Sequence, residues 1–166
     1  MPDIAIPFTL LDAIAVLTLA LALVVGIRMG TPFTLAVIPA IVLYVLLVGL
    51  LPNVSGIVLP FMAVLMGFAM AMLTQYVPLP RLPDRLEAFI GGVGGFVWGL
   101  LLALTLWVSF PVEYVASSNT LRYPSSKLPS WVQTNIARSE FAQASFNLAS
   151  SNTILRSALL PHLRKR

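Results

Sequence analysis

Asp12 is the one acidic residue in this chain that falls inside an apolar stretch, about one helical turn past Phe8. A charge held in hydrocarbon is costly and is kept when paired, hydrogen-bonded or placed against water. Asp12 is therefore a candidate for proton or ion handling, with an interfacial or helix-amino-terminal charge as the plainer reading. The single histidine, His162, stands between Pro161 and Leu163 beside Arg164, Lys165 and Arg166. That setting reads as a surface residue near lipid headgroups rather than a base or a metal ligand. The sequence holds no HExxH, GxSxG, P-loop or paired-carboxylate arrangement, so zinc hydrolysis, acyl transfer and nucleotide hydrolysis lack their groups. Ten serines lie between Ser117 and Ser157 without a partner base, and with no cysteine there is no thiolate chemistry and no disulfide. No catalytic, cofactor or metal site is expected.

The elements that hold Asp12 follow from composition. Of the 166 residues 58% are hydrophobic and only 10% charged, against about 25% charged in a soluble domain, which leaves too little charge to solvate a globule. No Asp, Glu, Lys or Arg occurs over 29–80 or 88–112. Uncharged apolar runs beyond about 18 residues read as membrane spans. Four spans are expected, at 8–27, 33–51, 57–77 and 88–110, within a transmembrane domain of residues 1–111. The first is not a cleavable signal, because it carries Asp3 and Asp12 and no base before Arg28. Thr31 with Pro32 predicts the start of the second span, Pro39 a kink within it, and Ser55 a cap for the third. Asp84 and Glu87 have the spacing of a capping box for the fourth.

Residues 112–166 are polar and basic, and the net charge of +4 belongs to this tail, since seven of the ten bases lie beyond Tyr114. Beside a bilayer such an excess points to anionic lipid headgroups, not nucleic acid. Up to about Pro129 the tail should be irregular. Beyond it Trp131, Val132 and Ile136, then Phe141, Ala144 and Leu148, then Ile154, Leu155, Ala158, Leu159 and Leu163 recur at helical spacing and predict short amphipathic helices. Four spans put both termini on one side. Arg28, Arg81 and Arg85 lie in the two short loops of the other side, which the positive-inside rule places in the cytoplasm, leaving the termini extracytoplasmic.

Gly91, Gly95 and Gly99, with Ala103, form a row at intervals of four on the fourth span. In lipid, helices associate by close backbone approach, so small residues mark contact faces. Thr18, Ala22, Gly26 and Gly30 line one face of the first span, and Ala63, Gly67 and Ala71 one face of the third. Spans one, three and four are expected to pack tightly, with the glycine row turned inward or forming a homo-oligomer seam.

This order of features resembles the colicin V production protein family, four-span proteins of the bacterial inner membrane. Asp12 near the start of the first span, the turn of Gly26, Arg28 and Gly30, and Glu87 followed by Gly91, Gly95 and Gly99 are similar to that family's pattern. Trp131 and Ser139 to Ala142 are similar to its serine-containing motif after the last span. Ala88, Trp98 and Met29 depart from it, standing where the family often has a basic residue. The resemblance implies an all-α, non-enzymatic membrane scaffold or accessory protein linked to toxin production or export and envelope homeostasis, with an envelope or export protein as partner. The same module anchors periplasmic serine proteases. A small oligomeric transporter or channel is the alternative, although a pore needs polar groups along several helices and these spans are aliphatic.

Overall fold

A computed structural model describes residues 8–51, 54–78, 82–115 and 120–161. Asp3, Asn53, Arg81, His162, Leu163 and the terminal basic cluster lie outside the described residues. The described chain is helical apart from one small hairpin. Helices α1 (Leu10–Met29), α2 (Thr31–Leu50), α3 (Val58–Thr74) and α4 (Asp84–Val108) precede antiparallel strands β1 (Glu113–Val115) and β2 (Thr120–Arg122), with Glu113 opposite Arg122. Helices α5 (Ser130–Arg138), α6 (Glu140–Ser151) and α7 (Thr153–Leu159) follow. Three helices, α1, α2 and α4, are long and apolar enough to cross a membrane. The 17 residues of α3 are apolar but shorter, about 26 Å against a hydrocarbon core of about 30 Å.

Local chemistry sets the ends of these helices, in places differently from the sequence reading. Thr9 caps α1, accepting from the Asp12 amide while the Asp12 carboxylate reaches back to the Thr9 amide. That is the capping box of this chain. The one expected from Asp84 and Glu87 does not form, because Pro83 holds the cap position and Asp84 is already helical. Both carboxylates still sit in the first turn, where the helix dipole favours them. Gly30 alone separates α1 from α2, with φ of 67°, and Thr31 is the first residue of α2 rather than its cap. Ser55 contributes its carbonyl, not its side chain, to the start of α3. Helix α2 runs unbroken through Pro39.

Helices α1 and α3 are each antiparallel to α4. Gly26 lies against Gly91 and Gly95, Gly99 against Leu19 and Ala22, and Asp12 against Trp107, while on the other side Gly67 meets Trp98 and Gly56 meets Ser109. The α1–α4 seam is the most extensive packing in the molecule. Span two, which the small-residue rows left aside, is fully engaged. It packs on α3 and α4 and buries Phe33, Ala36, Val37, Ala40, Tyr44 and Val48, whereas α1 and α3 touch each other little. The α2 interface thus combines the small pair Ala36 and Ala40 with the large residues Phe33, Tyr44 and Val48, which a search for small residues does not detect. Outside this core the helices expose a continuous aliphatic and aromatic surface, including Leu17, Leu21, Ile38, Phe61, Leu65 and Phe68. Helices so apolar on both faces suit hydrocarbon surroundings.

Candidate functional site

The described polar side chains that are most completely buried converge at the end of the bundle where α1 begins and α4 finishes. Asp12 has no exposed surface, although it lies one turn into its helix. Its Oδ2 accepts from the Thr9 amide at 3.0 Å and the Thr9 hydroxyl at 2.8 Å, and its Oδ1 from Trp107 Nε1 at 3.0 Å and the Ser139 hydroxyl at 2.5 Å. Four donors fill the carboxylate. This is how a buried anion persists without a neighbouring cation, since bonds to a charged acceptor are worth about 1.5 to 3 kcal/mol each and leaving the group bare would cost more.

Each donor is positioned by its own element. Thr9 is the α1 cap, and Trp107 stands in the last turn of α4 with its ring stacked on Phe141 at 5.6 Å between centroids. Ser139 is the single residue between α5 and α6. Its hydroxyl caps α6 by accepting from the Ala142 amide at 2.9 Å while it donates to Asp12. A second tie lies beside the first: the Tyr123 hydroxyl donates to the Trp107 carbonyl, and its ring stacks on Phe146 at 4.5 Å. Burial pushes the Tyr123 phenol well above its usual range, so it stays a donor at any physiological pH. Around these ties Ala15, Ala103, Trp107, Ile136 and Ala142 form one apolar cluster, and Val108, Phe146, Ala149, Leu159 and Leu160 another. The tail is thus a cap seated on α1, α2 and α4.

Helix α6 has a second face beside the expected one. Phe141, Ala144 and Leu148, the residues expected at helical spacing, are exposed, and Ala142, Ser145, Phe146 and Ala149 are buried. Ala142, Ser145 and Ala149 let α6 approach α4 closely and Phe146 fills the space beside Tyr123, while Leu148 points outward with Trp131 and Ile154. The stretch expected to be irregular also contains the β1–β2 hairpin. Glu113 accepts there from the Ser126 hydroxyl at 2.5 Å and the Ser126 amide at 3.0 Å, which hold its carboxyl below the usual glutamate range, with Lys127 and Arg122 assisting.

The remaining candidate residues fall into two groups. Gly26, Gly30, Gly91, Gly95 and Gly99 form the α1–α4 seam with Ala22, and a Cβ on Gly95 would come within 2.9 Å of the Leu23 backbone. Ala103 is buried in the Asp12 cluster; Ala63, Gly67 and Ala71 face the α2 and α4 side of α3. Arg28 and Arg85 are exposed at the far end, and Glu87 lies over Gly30. Arg81 lies outside the described residues. Apart from Ala103 none of these joins Asp12, and Arg28 and Arg85 lie with Glu87 at the opposite end of the bundle. Among the described residues no group of three His, Cys, Asp or Glu side chains could hold a metal ion. Ser139 is fully buried with both its donor and acceptor roles filled, which leaves it no opening as a nucleophile. The sequence did contain one usable signal for this site, the Thr9-x-x-Asp12 capping pattern. Trp107 and Tyr123 carried none, because their roles depend on tertiary placement. Comparison with family models, with curated proteins and with solved structures finds no match for this chain.

Proposed function

We propose that this chain is an integral membrane scaffold similar to colicin V production proteins. On this reading four spans cross the bacterial inner membrane and hold the tail as a docked cap on the extracytoplasmic side, where it engages an envelope or export partner without catalysis. The supporting observation is the saturated Asp12 carboxylate, whose bonds go to a helix cap, a span and the tail and leave no acceptor for a substrate. The outward face of the cap, with Trp131, Phe141, Leu148 and Ile154 exposed, is suited to the membrane surface or to a partner. Arg28 and Arg85 at the opposite end suit the cytoplasmic side.

Affinity purification after mild crosslinking in intact cells tests this reading. A specific membrane or periplasmic protein should be recovered with the wild type and lost when Ser139→Ala and Tyr123→Phe together loosen the cap. Recovery of only lipids and copies of the chain would overturn it. Ion or solute flux through liposomes carrying the purified protein, abolished by Asp12→Asn, would favour the transport alternative instead.

A further inference from the structure

A lateral groove opens on one side of the bundle. Helices α1 and α3 run in the same direction with little direct contact, and a groove of about 420 Å³ lies between them, floored by Trp98 of α4. Its walls include Leu21, Val25 and Met29 on one side and Phe68 and Met72 on the other, all apolar. Gly67 makes the floor possible, because any side chain there would collide with the Trp98 ring. The volume is within the range of small-ligand sites, about 300 to 1,000 Å³, which in bundles lie between helices.

Two polar residues line the groove, Thr18, whose hydroxyl is turned to the Ile14 carbonyl, and Gln75. Leu21, Val25 and Arg28 are spaced four and three residues apart, so Arg28 continues the α1 wall outward in the last turn of the helix. Arg28 is exposed and pairs with no carboxylate among the described residues. Gln75, the carboxyl-terminal cap of α3, lines the groove at the same end. A guanidinium and an amide at the mouth of an apolar slot match a phosphate with a hydrocarbon chain behind it. We infer that the α1–α3 groove binds one acyl chain of an anionic phospholipid, with the headgroup phosphate on Arg28. The inference rests on the membrane reading above, although not on the identity of any protein partner.

Trp98 reports on this site directly. The protein would be reconstituted into phosphatidylcholine vesicles containing a minor fraction of lipid brominated on its acyl chain, and flotation would first establish insertion. The Trp98 signal is the emission of the wild type minus that of Trp98→Phe. Brominated phosphatidylglycerol should quench that signal several-fold more than brominated phosphatidylcholine at the same mole fraction. Arg28→Gln should make the two lipids equivalent, and Val25→Phe, which fills the slot, should weaken quenching by both. Equal quenching by the two lipids in floated wild-type protein would overturn the inference while leaving membrane insertion intact. So would an unquenched Trp98 in protein that crosslinks to a second copy through the groove. Failure to float would remove the membrane reading, and this inference with it.

Discussion

The bonds at Asp12 differ in reach, since Thr9 is three residues away in sequence while Trp107 and Ser139 are 95 and 127. The local pair starts a helix, and the distant pair fastens the tail to the spans, so substitutions should separate the two effects. Thr9→Ala should cost about 1 kcal/mol, the usual value of a cap, and leave the tail docked. Asp12→Asn keeps the shape but turns an amide N–H₂ toward at least one donor, at a cost of about 1 to 3 kcal/mol. Its effect should appear as faster amide exchange in α5 and α6, and Ser139→Ala should do the same. Because both variants remove one shared bond, their double variant should be less than additive. Unchanged exchange in α6 of Asp12→Asn would show that the apolar clusters alone seat the cap. Glu113 predicts a pH dependence of opposite location. Its carboxyl is held low by Ser126, so the contribution is complete above the unfolded value of about 4.3 and is lost as pH falls through the lower folded value. The Ser126 amide should therefore exchange faster in acid than its neighbours, and a profile unchanged by Glu113→Gln would contradict this.

Among the elements, the α1–α4 seam is the most demanding, because backbone meets backbone there. A methyl group on Gly91 would press on the Gly30 backbone at 2.7 Å and on the Gly26 carbonyl, so Gly91→Ala must force the helices apart. By contrast a Cβ on Gly49 would meet nothing within 4 Å, and Gly49→Ala should be neutral or stabilising by about 0.5 to 1 kcal/mol through helix propensity. Thermal unfolding in detergent would rank them, and a Gly91→Ala protein as stable as Gly49→Ala would refute the seam. This contrast was partly legible in the sequence. A four-residue glycine interval is a backbone property that survives without knowledge of the partner, and Gly91, Gly95 and Gly99 lie on the face of α4 that meets α1. The α2 interface was not legible, because Phe33, Tyr44 and Val48 look like any lipid-facing residue until a neighbour is placed. The docking face of α6 was not legible for the same reason. Phe141 and Leu148 marked its exposed surface, whereas the docking surface uses Ala142, Ser145, Phe146 and Ala149.

For the whole molecule, hydropathy marks α1, α2 and α4 as long and apolar enough to cross a membrane because that pattern belongs to each helix alone, but the seating of the tail depends on a few specific bonds between residues more than ninety positions apart. That seating constrains topology more firmly than the charge count does. Docking by Asp12, Trp107 and Ser139 puts the start of α1, the end of α4 and the tail at one end of the bundle, and the contact of Gly56 with Ser109 puts the α2–α3 turn there too. The start of α4 lies at the other end. With no native cysteine, single cysteines report each end cleanly. Ser55 and Ser130 are exposed at the tail end and Asp84 at the opposite one, whereas Ser125 is buried and would give a misleading silence. In intact cells an impermeant thiol reagent should label Ser55→Cys and Ser130→Cys alike, with Asp84→Cys reacting only after permeabilisation. Labelling of Asp84→Cys alone would invert the orientation and leave the fold untouched. Opposite behaviour of Ser55→Cys and Ser130→Cys would break the fold itself, because 17 residues of α3 would then have to lie along the membrane instead of crossing it, and the cap could not reach Asp12 from its own side.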